Sequence, residues 1–154
     1  MNIVFKQINA SNLDLIENLA TEAHFEGFEF VKRTIFEWKS GLNDFSKQGE
    51  ILFGICISDL CIGLGGLNVD PYINNPNIGR VRHVYISPKY RRKGLGILLL
   101  NKIIHNSANH FELLRLYTNN LIASTFYESL GFKQSFSLKV THILKNLDKY
   151  PKLH

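Results

Sequence analysis

The sequence is poor in cysteine and proline and has no long apolar run. It contains two cysteines, four prolines and one tryptophan among 154 residues. Cys56 and Cys61 have neither metal-ligand spacing nor a disulfide framework, so we expect no metal site, two small buried thiols and a reducing cytoplasm. No segment approaches the ~20 apolar residues of a membrane span. The first ten residues lack a signal-peptide pattern, so no membrane association is predicted.

What the chain does contain suits one folded domain spanning residues 1–154. Hydrophobic residues make up 45% and aromatic residues 12%, without an internal repeat or linker. The formal net charge of +5 is compatible with nucleic acid or with an anionic small molecule. Basic residues cluster only at 89–93, just before a predicted helix, which favours the small molecule and argues against nucleic acid.

Hydrophobic periodicity predicts eleven elements in the order β-α-α-β-β-β-α-β-α-β-β. Strands are predicted at 3–8, 51–57, 61–69, 80–87, 113–118, 132–136 and 138–144. Helices are predicted from a cap at Ser11, over 30–38 with Gly41 as its end, at 94–109 and at 121–130 with Gly131 as its end. This order predicts a mixed α+β sheet with helices packed on it.

A short basic loop joins the fourth predicted strand to the third predicted helix. Free amides and the positive dipole end make a helix start attractive to phosphate. Gly94 and Gly96 would let the anion approach the main chain. Arg91, Arg92 and Lys93 would add positive charge, and an arginine can grip a phosphate with two hydrogen bonds. Neither a Walker loop nor a Rossmann glycine pattern occurs. The loop therefore indicates a phosphate site, with a solvated basic turn as the alternative.

Two motifs in this half of the chain resemble those of a known family. The sequence YRRKGLG at 90–96, after VYISP at 84–88, resembles the Gln/Arg-x-x-Gly-x-Gly/Ala motif of the GNAT superfamily of N-acetyltransferases. NLIA at 120–123, FYE at 126–128 and GF at 131–132 resemble its second signature. The resemblance implies a GNAT-like α+β fold, with a mixed, mostly antiparallel sheet of about seven strands and helices on both faces.

The resemblance implies acetyl-CoA as co-substrate, bound in a gap between the fourth and fifth strands. Backbone groups of Val84 and Ile86 would pair with the pantetheine arm, and amides of 91–96 would hold the pyrophosphate. An amide near Val84 would polarise the thioester carbonyl. The implied cofactor-binding set is Val84, Tyr85, Ile86, Arg91, Arg92, Lys93, Gly94, Leu95, Gly96, Asn120, Ala123 and Tyr127.

The resemblance also assigns catalytic positions. Tyr127 occupies the place of a tyrosine that protonates the departing thiolate; simple packing is the alternative. Many family members carry a glutamate at the start of the fourth strand, where this chain has Arg80. The identity of the general base therefore stays open. The candidates are His83, Asp70 acting through water and Tyr72, and the remaining alternative is that there is no dedicated base. The other histidines are expected to be structural: His24, His105, His110, His142 and His154.

The acceptor pocket of the family is formed by the first two helices and the loop before the fourth strand. The residues predicted to line it are Phe25, Phe28, Trp38, Asp70 and Tyr72, with Glu22, Glu26 and Glu29 nearby. Aromatic and acidic side chains together suit a cationic amine, on a small molecule or a peptide. The sequence does not decide whether the chain forms a homodimer. A non-catalytic module that binds and senses acyl-CoA is the alternative function, supported by the missing glutamate.

Overall fold

The computed structural model describes residues 2–151, so His154 lies outside the described residues. The strands are β1 Ile3–Gln7, β2 Ile51–Ile57, β3 Leu60–Val69, β4 Ile78–Ile86, β5 Leu113–Leu116, β6 Lys133–Ser137 and β7 Val140–Lys145. The α-helices are α1 Glu17–Phe25, α2 Phe30–Ser40, α3 Leu95–Ser107 and α4 Leu121–Ser129. No helix within residues 2–151 is long and apolar enough to cross a membrane.

The seven strands form one sheet in the order β1-β2-β3-β4-β5-β7-β6. Only β4 and β5 run parallel; the other neighbours are antiparallel. Apolar residues of α1 and α2 pack with one face of the sheet, while those of α3 and α4 pack with the other. The predicted α+β fold, with a mostly antiparallel sheet between helices, is confirmed.

The parallel strands β4 and β5 stay together over a short distance only. Their register runs from Ile78 opposite Leu113 to Arg80 opposite Arg115, and β4 then continues to Ile86 without β5 beside it. Along its other edge, β4 carries one extra residue relative to β3 between Arg82 and Tyr85. This bulge and the early end of β5 leave a gap beside the second half of β4.

The start of the first helix differs from the prediction. Ser11 does not cap it: residues 13–16 form a 3₁₀ turn, and α1 begins at Glu17. The preceding segment is held by its own side chains, since Asn12 Oδ1 accepts a hydrogen bond from the Asn9 amide at 2.7 Å and the Ser11 hydroxyl donates to Asn9 Oδ1 at 2.6 Å. These local bonds compete with a helical cap at Ser11.

The prediction of two unpaired cysteines was wrong. Cys56 and Cys61, both fully buried, are joined in a disulfide. The tight turn after β2 places the two residues directly opposite each other in the β2–β3 register. Sequence spacing alone does not reveal such cross-strand partners. The reducing setting inferred from free thiols therefore loses its basis.

Candidate active site

The start of α3 presents a row of unsatisfied backbone donors. Gly94 takes the N-cap position with a left-handed φ of 79°, a conformation that glycine adopts without strain, and no side chain caps the helix. Within residues 2–151, no group accepts a hydrogen bond from the amides of 92–97. The first bonded amide is that of Leu98, which donates to the Gly94 carbonyl. Six free amides therefore lie at the positive end of the helix dipole, which suits an anion.

The Arg91 side chain is used to anchor this loop. Its two terminal nitrogens donate to the carboxylate of Glu26, the residue directly after α1, at 2.9 Å each, and its Nε donates to the Ile86 carbonyl at 2.8 Å. Burial works against ionisation of Glu26, but hydrogen bonds from Arg91 and Tyr85 outweigh it and lower its pKa. Arg91 therefore ties the loop to α1 and β4. Arg92 and Lys93 remain exposed beside the free amides.

The two motif glycines have different surroundings. A Cβ atom at Gly94 would meet nothing within 4 Å, so this position requires glycine for its backbone conformation. A Cβ atom at Gly96 would lie 3.2 Å from Cζ of Phe126, so this position lets α3 approach α4 closely. The adjacent Leu95 is buried in the core.

The three β4 residues of the predicted cofactor set face different ways. Val84 and Ile86 are half-buried and pack against the core that contains α3. Tyr85 is buried on the α1–α2 face, where its hydroxyl contacts Glu22 and Glu26. Burial and these acidic neighbours raise the Tyr85 pKa. The Tyr85 side chain is therefore not available to a ligand in the gap, and Tyr85 could contact such a ligand through its backbone only.

Tyr127 lies on α4 with its ring among apolar neighbours. Its centroid is 5.3 Å from that of Phe126 and 5.6 Å from that of Phe132. Burial raises the pKa of its hydroxyl, so it stays protonated at neutral pH. No described residue hydrogen-bonds that hydroxyl. Asn120 caps α4, accepting a hydrogen bond from the amide of the half-buried Ala123 at 3.0 Å.

His83 sits in the bulge of β4 with a left-handed φ of 61°. Its Nε2 atom is buried and has no hydrogen-bond partner within the described residues. Burial, aided by the positive charges of Arg82 and Arg33, lowers the His83 pKa to about 3. Such an imidazole is a poor acceptor for the proton of an ammonium group, so the structure does not favour it as the base.

Asp70 is also unfavourably placed for proton transfer. Its side chain is fully buried, with Oδ2 3.2 Å from Arg80 Nη1 and 3.3 Å from Arg115 Nε. Its Oδ1 accepts a hydrogen bond from the Tyr72 amide at 2.8 Å. The Tyr72 ring lies over the Arg80 guanidinium. Three donors already satisfy this carboxylate, which leaves it a structural counterion of two arginines.

The predicted aromatic acceptor residues do not share one environment. Trp38 stacks on Phe45 at 5.9 Å and joins the core beneath α2. Phe25 is exposed to solvent over 84% of its surface, and Phe28 over 41%. Tyr72 is half-exposed beside Arg80. Of these aromatic residues, Tyr72 lies against Arg80, where β4 pairs with β5.

The predicted acidic lining is engaged elsewhere. Glu22 accepts hydrogen bonds from the hydroxyls of Tyr85 and Ser87, while Glu26 binds Arg91 and Tyr85. Glu29 pairs with His24. Glu22 and Glu26 hold the α1 segment against β4 and the phosphate loop, and Glu29 is paired within its own segment, so the three carboxylates do not form an open acidic pocket.

A cavity of about 720 Å³ lies at the other end of the gap strands. It is lined mainly by the 69–77 loop and by the end of α3 at Asn109 and His110. The motifs that resemble the GNAT family do not meet there. A smaller cavity of about 190 Å³ includes Arg82 in its wall.

Comparisons with known proteins show the family and the fold. A family model described as acetyltransferase (GNAT) domain matches residues 48–134. A protein assigned as an acetyltransferase from Exiguobacterium sp. 255-15 superposes with a TM-score of 0.82 at 28% identity, covering 94% of each chain. The PaiA N-acetyltransferase from Thermoplasma acidophilum, solved with coenzyme A, has a TM-score of 0.71 at 21% identity and covers 93% of this chain and 97% of its own.

A third related structure has a known acceptor. The ribosomal-protein-S18-alanine N-acetyltransferase from Escherichia coli has a TM-score of 0.66 at 16% identity, covering 92% of this chain and 89% of its own. At this identity the likeness shows the fold alone. The family match spans the free amides of α3, the bulged strand β4 and Tyr127, so the candidate site lies within the matched region.

Proposed function

The chain belongs to the GNAT family of acetyl-CoA-dependent N-acetyltransferases, and from this premise we propose that it transfers an acetyl group directly to a primary amine. The observation that carries the proposal is the row of six unpaired amides at 92–97 beside the gap between β4 and β5. The anchored Arg91 holds this row in place before any ligand binds.

The residues present fit acetyl-CoA. The amides of 92–97 are free donors for a pyrophosphate, and the exposed Arg92 and Lys93 add positive charge. The free edge of β4 at Val84 and Ile86 offers backbone groups to an amide-containing arm. Acetyl-CoA supplies the activated acyl group as a thioester.

Tyr127 is proposed to donate a proton to the leaving sulfur. Its raised pKa keeps the proton on the hydroxyl at neutral pH, and no described side chain competes for that hydroxyl. No side chain is assigned as the base, because His83 is a weak base and Asp70 is engaged by two arginines. The incoming ammonium group would then lose its proton to water in the gap.

A thiol-release assay with acetyl-CoA and a panel of amines tests this function. An acetyltransferase releases coenzyme A in proportion to amine concentration and yields the acetylated amine by mass spectrometry. Calorimetric titration with coenzyme A is run in parallel. Tight binding without turnover on any amine would support the alternative, a non-catalytic acyl-CoA-binding module, which Arg80 in place of the usual glutamate favours.

A further inference from the structure

Three arginines share one face of the sheet beside the strand gap. Arg80 and Arg82 occupy alternate positions of β4, and Arg115 of β5 lies opposite Arg80 in the parallel register. Side chains at alternate strand positions, and at paired positions of neighbouring strands, project to the same side. Arg80, Arg82 and Arg115 are called the arginine cluster below.

Within the arginine cluster, Arg80 and Arg115 share a single ion-pair partner. Asp70 forms ion pairs with both Arg80 and Arg115, and the three side chains are 0%, 7% and 13% exposed respectively. One carboxylate between two guanidinium groups leaves a net positive charge in a largely buried place. Uncompensated buried charge is costly, so such a site favours an additional anion.

Arg82 is the member of the cluster that is open to a ligand. It is half-buried, lines the cavity of about 190 Å³, and forms no ion pair within the described residues. Glu50 lines the same cavity, but its carboxylate accepts hydrogen bonds from the Asn68 side chain and from backbone amides. Asp44, also in the wall, is exposed to solvent.

The position of Arg82 relates this charge to the proposed reaction. It directly precedes the bulge and lies two residues before Val84, whose neighbourhood is proposed to receive the thioester carbonyl. The bulge separates the two positions, with His83 in a left-handed conformation between them. An anion bound to Arg82 would therefore lie beside the bulged segment of β4.

We propose that the acceptor is an amine that also carries a carboxylate, and that this carboxylate binds Arg82 within the arginine cluster. A planar carboxylate matches the guanidinium fork with two hydrogen bonds. The inference rests on the proposed acetyl transfer and names its acceptor class. It departs from the cationic acceptor suggested by the aromatic and acidic residues, because those glutamates are engaged by other side chains.

Matched acceptors test this proposal. Free L-amino acids, their α-carboxamides, the corresponding decarboxylated amines and C-terminally amidated peptides are compared by thiol release and by ligand-induced shifts in melting temperature. We expect at least one free amino acid to exceed its carboxamide by about tenfold or more in kcat/KM. Turnover of the amidated peptides would indicate that the amine is a peptide N-terminus, whereas turnover of the free amino acids alone would indicate a free amino acid.

Variants then assign the effect to Arg82. Arg82→Gln should reduce the acid-to-amide ratio of kcat/KM by about tenfold, and Arg82→Lys should reduce it less. Lys149→Gln removes the same charge at an exposed position near the C-terminal end and should leave the ratio unchanged. Each variant is first titrated with coenzyme A, and native affinity shows that it is folded. If Arg82→Gln does not fold, the acid-to-amide ratio of Arg82→Lys is compared with that of the native protein instead.

The proposal is overturned if no acid exceeds its carboxamide in either turnover or thermal stabilisation, whether or not amines are acetylated. It is equally overturned if the preference survives both Arg82 variants. Failure of acetyl transfer itself has another signature, namely coenzyme A binding without thiol release on any amine. Efficient turnover of amines that lack a carboxylate would contradict the proposed acceptor class and leave the proposed acetyl transfer standing.

Discussion

His83 should make the stability of this protein depend on pH between 5 and 8. Burial holds its folded-state pKa at about 3, whereas an unfolded histidine titrates near 6.5. As the pH falls below 6.5, the unfolded chain binds a proton that the folded chain does not, so the free energy of unfolding decreases. Over the roughly 1.5 pH units down to pH 5, at 1.36 kcal/mol per unit, this loss is about 2 kcal/mol.

The variant His83→Asn isolates this contribution. Asparagine tolerates the left-handed φ of 61° and does not titrate in this range. Urea unfolding of both proteins at pH 8 and pH 5 gives the two free-energy changes to compare. The native protein should lose about 2 kcal/mol more than the variant. Ordinary carboxylates titrate near pH 4, below this window.

Equal pH dependence in the two proteins would refute the reasoning. It would mean that the His83 imidazole reaches solvent or a partner, with a pKa near its ordinary value. His83 would then return as a candidate base, and the pH profile of kcat/KM would decide its role. If the reasoning is right, the variant and the native protein share the same acidic limb in that profile.

Three further substitutions examine the site. Gly96→Asp brings a carboxylate to the free amides and a Cβ to 3.2 Å from the Phe126 ring. Coenzyme A affinity, measured by calorimetry, should therefore fall more than about tenfold. Unchanged affinity would exclude the start of α3 from the binding site. Tyr127→Phe should lower kcat about 100-fold with coenzyme A affinity retained, and equal turnover would exclude it as the acid. Glu26→Gln loosens the Arg91 anchor and should weaken coenzyme A binding up to about fivefold, whereas native affinity would show that the loop holds without this pair.

The sequence predicted well those elements that are determined by residues adjacent along the chain. Gly41 ends α2 in a left-handed conformation, and Asn120 caps α4, as glycine and asparagine do at such positions. Apolar periodicity located the strands to within two or three residues. The cap at Ser11 failed because nearby asparagine side chains compete for the same backbone groups.

The partners of charged side chains were not predictable. Asp70 and Glu26 are reached by arginines 10 and 65 residues away in sequence, and these contacts exist only once β4, β5 and α1 are assembled. The arginine cluster left a weak signal, with Arg80 and Arg82 at alternate positions of one predicted strand. Its third member, Arg115, joins through the parallel β4–β5 pairing, which no local pattern encodes.

By itself the sequence determined the order of strands and helices, the glycine-bearing basic turn and the family, because these depend on neighbours along the chain. Only the tertiary structure decided that Arg91 faces Glu26, that Cys56 meets Cys61, and which face of the sheet carries unbalanced positive charge. The cysteine pairing and the charged face depend on strand register, where a shift of one residue reverses the face of every side chain. The Arg91–Glu26 contact depends on how α1 packs against the sheet.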